Sequence, residues 1–184
     1  MKVSVRFAGM GGQGIIFAGI ILARAVSLYE KKEGRDLYAI QTQSHGPAAR
    51  GESSKCDVVI SDEESFYPFV EKPDYLVLMS QPAYEIFLEQ TYPGTIVILD
   101  EDLVEGKPEL MHYDVPALRR AKGIGSSGST NMVMLGVFAN ISGIVSSDSI
   151  LKAIEDVSPM GTAEANGVAF REGYALGRTF HLGG

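Results

Sequence analysis

Tryptophan is absent from this chain and cysteine occurs once, at Cys56. A single cysteine excludes an internal disulfide and any iron–sulfur or other metal site built from this chain's own thiolates. Basic residues are the minority, 16 against 23 acidic, and the net charge is −7. That balance argues against nucleic acid, which needs clustered Lys and Arg. No apolar run reaches the roughly 18 uninterrupted residues of a membrane helix, and no leader-type segment precedes the first strand. Internal repeats and low-complexity tracts are missing too. A soluble, cytoplasmic protein is expected, with residues 1–184 forming one domain that buries roughly 70% of its unfolded surface.

Glycine, in contrast, is plentiful, with 21 residues. Its densest cluster follows a strand pattern in which Val3, Val5 and Phe7 alternate with polar neighbours. Gly9-Met10-Gly11-Gly12-Gln13-Gly14 comes next, then the apolar run from Ile15 to Leu28. Strand, glycine turn and helix make a βα unit whose free N–H groups at the helix start form a seat for an anion. Gly9, Gly11 and Gly14 satisfy G-x-G-x-x-G, the dinucleotide fingerprint. That fingerprint also wants an acid near the end of the second strand to hold a ribose. Here the second strand pattern, Leu37 to Thr42, ends in amides and hydroxyls. Two readings stand side by side: a phosphate-binding turn, and a turn that packs helix against strand. Gln13 carries both a donor and an acceptor and suits either, or a helix cap.

The first helix, Gln13 to about Tyr29, has no wide polar face and is expected to be buried by more than one neighbour. Further strand patterns run over Cys56–Ser61, Tyr75–Met79 and Thr95–Leu99, with a short edge strand within Glu109–Tyr113. Ser80 and Pro82 open a helix as cap and first-turn residue. Ser129 or Thr130 is placed to cap an apolar helix from Asn131, and Ser147 or Asp148 to cap an amphipathic one ending near Val157. A last helix spans Thr162 to about Arg178. Strands alternating with helices predict a Rossmann-like, three-layer α/β domain with a mostly parallel twisted sheet and a helical C-terminal part. Two strongly apolar helices in so small a domain are expected to cover the two faces of the sheet and also to close some of their surface against another polypeptide.

Between the second and third strands lies the polar loop Gln43-Ser44-His45-Gly46-Pro47-Ala48-Ala49-Arg50-Gly51-Glu52. Arg50 is its best anion ligand, because a guanidinium fork matches carboxylate and phosphate oxygens in paired bonds. Open α/β sheets place ligands at the carboxyl ends of their strands, the edge where the glycine turn also lies. His45 reads as a stacking or hydrogen-bonding ring, and Cys56 as a small buried hydrophobe. The acidic runs Asp62–Glu64 and Asp100–Asp102 lack histidine and read as solvated turns. Asn131 suits a helix cap, with bonding to the glycine turn or to a ligand as alternatives.

Gly9-Met10-Gly11-Gly12-Gln13-Gly14, the Gln41-Thr42-Gln43-Ser44-His45-Gly46-Pro47-Ala48-Ala49-Arg50-Gly51 stretch and Asn131-Met132-Val133-Met134-Leu135-Gly136 together resemble the gamma subunit of 2-oxoacid:ferredoxin oxidoreductases. The likeness extends to Asn166-Gly167-Val168-Ala169-Phe170, and the Gln-Thr-Gln-Ser start of the second motif looks most like the 2-oxoglutarate branch. The resemblance implies a multi-chain enzyme that decarboxylates a 2-oxoacid, passes electrons to ferredoxin or a similar acceptor and forms an acyl-coenzyme A. It further implies alpha, beta and ferredoxin-like delta partners carrying thiamine diphosphate, magnesium and iron–sulfur clusters. No complete catalytic site or metal site is then expected on this chain. Gly11, Gly12, Gln13, Gly14, Gln43, Ser44, His45, Gly46, Arg50 and Asn131 become candidates for ligand or subunit contact, coenzyme A among the ligands. His45, Ala48 and Glu52 depart from the family's usual aromatic, glutamate and glycine. Pyruvate, branched-chain or indolepyruvate versions, a free-standing NAD(P)-binding domain and a purely structural assembly protein remain the alternatives.

Overall fold

The computed structural model describes residues 1–31, 34–44, 53–64 and 67–181. β1 (Lys2–Met10) passes through the glycine turn into α1 (Ile15–Arg24), which continues as a π-helical stretch over Ala25–Glu30. β2 (Tyr38–Ser44) and β3 (Ser53–Ser61) follow, then β4 (Tyr75–Leu78) and α2 (Gln81–Phe87). β5 (Ile96–Asp100) and β6 (His112–Val115) complete the sheet. The rest is helical: α3 (Ala117–Gly123), α4 (Thr130–Ser142), α5 (Ser147–Val157) and α6 (Ala163–His181).

The strands lie in the order β2-β3-β1-β4-β5-β6. β1, β4, β5 and β6 pair in parallel, while β3 runs against both β1 and β2. The sheet is therefore mostly parallel with one reversed strand, and the α/β class read from the sequence holds. Successive side chains point to opposite faces, and both faces are apolar. Val5, Phe7, Val58 and Ile60 join the main core with α1 and α4; Ala8, Leu76, Leu78 and Leu99 meet Ala83 and Phe87 of α2 on the other side.

α4 explains why an all-round apolar helix exists in so short a chain. Phe138 sets its ring edge-on to Phe7 and Tyr75 of the sheet, with centroids 6.0 and 5.3 Å apart. On its other side α6 crosses so closely that a Cβ on Gly136 would overlap the backbone of Phe170, and one on Gly173 the carbonyl of Val133. Every residue from Thr130 to Ala139 is buried within the chain. The exposed apolar residues of the first helix are Ile20 and Leu28, at 39% and 41%.

Several local expectations are corrected. The edge strand is His112–Val115, displaced toward the C-terminus from the expected stretch. α5 is capped by Ser146, whose hydroxyl accepts from Ser149 N–H, and not by Ser147 or Asp148. Neither Ser129 nor Thr130 caps α4: their hydroxyls bond Asn166 and the Ser127 carbonyl. α2 starts as expected, with Ser80 accepting from Ala83 N–H.

Candidate functional site at the carboxyl edge of the sheet

β1 and β2 both end on one edge, separated by β3. Met10 pairs with Ser53 and Ser44 with Lys55, so the glycine turn and the start of the polar loop leave the sheet at the same edge, one strand apart. His45, Gly46 and Arg50 lie outside the described residues, as do Ala48 and Glu52.

The turn is held by its own glutamine. Gln13 Oε1 accepts from Met10 N–H at 2.7 Å, and Gln13 Nε2 donates to the Met79 carbonyl at 2.7 Å. One side chain thereby links the ends of β1 and β4, with both ends of its amide engaged. Gly14 precedes α1 with φ of 72°, a left-handed conformation costly for other residues. A Cβ there would also strike the Asn131 amide.

Asn131 approaches from the buried helix α4. Its Nδ2 donates to the Gly14 carbonyl at 3.1 Å and its Oδ1 accepts from Met132 N–H at 3.0 Å. Of the alternatives left open for Asn131, the structure realises the bond to the turn, and the same side chain satisfies one amide of α4's first turn. Gly11 and Gly12, in contrast, are exposed, and a Cβ added to either would meet nothing within 4 Å. Gly14 supplies no side chain to cap the first amides of α1, the groups that attract an anion. Gln43 is exposed and accepts from Gln41 at 3.2 Å. The edge thus combines two bracing side chains, Gln13 and Asn131, with an open surface at Gly11, Gly12 and Gln43.

Cys56 is fully buried beneath Gly19 of α1. Burial pushes its thiol up to about 11, against the lowering effect of a hydrogen bond from Gln41. That is the opposite of the thiolate a metal cluster requires. No described group of three or more His, Cys, Asp or Glu side chains is arranged to hold a metal ion.

Four buried charged residues, Arg6, Asp57, Glu30 and Asp100, escaped the sequence reading. Arg6, expected on a polar strand face, is wholly buried and bridges Asp57 through Nε at 2.7 Å and Nη2 at 2.9 Å. It also donates to Gln90 and to the Val70 carbonyl, and lies over the Phe87 ring. In sequence Arg6 sits among the polar neighbours of Val5 and Phe7 and gives no sign of burial. Glu30 closes the π-helical stretch, accepting from Ser146 N–H at 2.6 Å and Arg35 at 2.9 Å. Burial alone would raise its pKa, but the bonds from Ser146, Ser149 and Arg35 prevail and hold it below the ordinary value.

The last of the four is Asp100, read from sequence as part of a solvated turn. It is fully buried at the carboxyl end of β5. Burial, with Asp102 adding repulsion, pushes its carboxyl up to about 6 despite bonds from backbone amides. Its Oδ1 accepts from Asp102 N–H at 3.1 Å, and its Oδ2 has no partner among the described residues.

Fold and edge geometry define a Rossmann-like α/β domain whose glycine turn is braced from a second, buried helix. The same architecture is found in a keto/oxoacid ferredoxin oxidoreductase gamma subunit from Geobacter sulfurreducens. That structure superposes with a TM-score of 0.83 and 31% identity, over 96% of this chain and 99% of the other. The chain belongs to the pyruvate ferredoxin/flavodoxin oxidoreductase family, whose model matches residues 4–176. It is 46% identical over 183 residues to the 2-oxoglutarate synthase subunit KorC of Methanocaldococcus jannaschii, covering 97% of this chain and 95% of that one. Identity to the pyruvate synthase subunit PorC of Methanothermobacter thermautotrophicus is lower, 29% over 94% of each chain.

Proposed function

We propose that this chain, as one domain over residues 1–184, is the gamma subunit of a multi-subunit 2-oxoglutarate:ferredoxin (or similar acceptor) oxidoreductase. The assembled enzyme converts 2-oxoglutarate and coenzyme A into succinyl-coenzyme A and carbon dioxide, releasing one proton and two electrons to the acceptor. The observation that carries this reading is the near full-length identity to a 2-oxoglutarate synthase subunit, well above that to a pyruvate synthase subunit.

In this reading thiamine diphosphate, magnesium and the iron–sulfur clusters belong to alpha, beta and delta partners. The buried, protonated Cys56 supports that division. The chain's own contribution is a rigid edge. Gln13 and Asn131 position the turn, while Gly11, Gly12, Gly14 and Gln43, with Ser44 at the end of β2 and His45, Gly46 and Arg50 of the adjoining loop, meet coenzyme A phosphates or a partner chain. Uncapped amides at the start of α1 suit such an anion. No helix among the described residues is long and apolar enough to cross a membrane, and a cytoplasmic location fits the reading.

The test is turnover by the purified complex against a panel of 2-oxoacids with coenzyme A and a low-potential acceptor. Preference for 2-oxoglutarate is expected. Absence of turnover with it, alongside activity on pyruvate or a branched-chain acid, overturns the substrate assignment. Turnover by the isolated chain overturns the subunit role.

A further inference from the structure

A second site lies well away from the glycine turn. α1 and its π-helical continuation run from Ile15 to Glu30, roughly 22 Å at the helical rise. Glu30 at their far end accepts from Ser146 N–H, which fixes the start of α5 there. Between that start and the middle of α6 is a cleft of about 270 Å³, lined by Ser147, Leu151, Phe170, Arg171, Tyr174 and Arg178.

Arg171, Tyr174 and Arg178 follow each other at helical spacing on one face of α6. The Arg178 guanidinium lies over the Tyr174 ring at 5.4 Å, and that ring leans on Phe170 with centroids 6.0 Å apart. Stacking orients a guanidinium while leaving its N–H edge available. Neither arginine forms an ion pair with a described carboxylate, although neighbouring cations do. Arg120 takes Glu172 at 3.2 Å, and Arg24 takes Asp156. Asp148, in the first turn of α5, does not line the cleft. Two guanidiniums without an ion pair to a described carboxylate therefore face a partly apolar hollow on a chain whose net charge is −7, and Arg171 also borders the adjoining hollow lined by Glu155 and Glu164. Arginines beside apolar walls recognise phosphoryl oxygens through paired, charge-assisted bonds.

We propose that the α5–α6 cleft is a second anion site, binding a phosphoryl group between Arg171 and Arg178 with any apolar body of the ligand against Leu151 and Tyr174. The shared chemistry is the phosphoryl group, supplied either by inorganic phosphates or by a phosphorylated metabolite.

Isothermal titration of the full chain with pyrophosphate and with ADP at low ionic strength tests it. Both arginines are exposed, so the Arg171→Gln/Arg178→Gln double variant is expected to keep the parent's thermal midpoint. Binding of either probe with Kd below about 1 mM, weakened at least about tenfold in the double variant, supports the site. Tighter binding of ADP assigns the ligand to phosphorylated metabolites, and equal binding assigns it to inorganic phosphates. Titration of Gly11→Leu separates this site from the glycine turn, because binding here is unchanged in that variant. Binding that survives the double substitution, no binding by the parent, or capture of a hexaglutamate peptide instead of pyrophosphate overturns the proposal.

Discussion

Asn131 reaches from the first turn of a buried helix to the carbonyl of Gly14, 117 residues earlier, and donates to it at 3.1 Å. The carbonyl that begins α1 is thereby held from outside its own helix, and the glycine turn takes its position from the core. Removing the amide in Asn131→Ala is expected to cost about 1–2 kcal/mol, the scale of losing one partner in a buried hydrogen bond. Equilibrium urea unfolding of the chain gives the value, and an unchanged midpoint speaks against the brace.

Turn exposure makes a different prediction. Gly11 has no positive φ, and a Cβ added to it would stand in open space, so Gly11→Leu should leave chain stability within about 0.5 kcal/mol of the parent. In the assembled enzyme the added side chain occupies the proposed contact surface. We expect about a tenfold rise in KM for coenzyme A, or a comparable loss of subunit association. Steady-state kinetics and analytical size exclusion read these separately; no change in either removes the turn from the contact surface.

Glycines on α4 and α6 act by a separate mechanism, backbone proximity. Gly136→Ala or Gly173→Ala forces the two helices apart and is expected to cost about 2–4 kcal/mol. Gly123, in open space at the end of α3, is the control, and Gly123→Ala should be neutral within about 0.5 kcal/mol. Thermal unfolding of all three variants tests the contrast.

Buried charge predicts an asymmetric mutational cycle. Arg6→Met strands the Asp57 carboxylate in the core, with Lys55 at 3.4 Å as its one remaining ion-pair partner among the described residues, and should destabilise by about 3–5 kcal/mol. Arg6→Met/Asp57→Leu removes both charges and should recover most of that loss. A double variant as weak as the single one argues that the guanidinium's bonds to Gln90 and Val70 dominate.

Asp100 predicts a dependence on pH. Its folded pKa, about 6, lies above the ordinary carboxylate value, so the folded chain binds this proton more tightly than the unfolded one. Stability contributed by Asp100 is then full below the unfolded value, falls as pH rises from about 4 to 6, and stays low above 6. Asp100→Asn keeps an acceptor for Asp102 N–H and carries no charge. We expect it to exceed the parent by about 1–3 kcal/mol at pH 7 and to lose that advantage near pH 4. A gap that does not change with pH excludes the titration.

How much was legible beforehand depended on the range of each interaction. The strand–glycine–helix unit at Val3 to Leu28 rests on alternation and on glycine density, both local, and it forms as read apart from a helix start at Ile15 instead of Gln13 and the π-helical ending. Ser80 was legible as a cap because its partner, Ala83, lies three residues on. Ser146 was missed among adjacent Ser147 and Asp148, since only the angle of chain approach selects among three good caps. Arg6 and Asp57, by contrast, look like a solvent-facing pair until β1 and β3 are laid side by side.

Sequence alone determined the α/β class, the glycine turn and the lack of thiolates for a cluster, because periodicity, φ preference and residue counts are properties of the chain itself. Tertiary structure decided the reversed β3, the burial of Asp100 and the tasks of Gln13 and Asn131. Those depend on which groups separated by tens of residues are brought together out of water, and desolvation and hydrogen-bond pairing are settled only there.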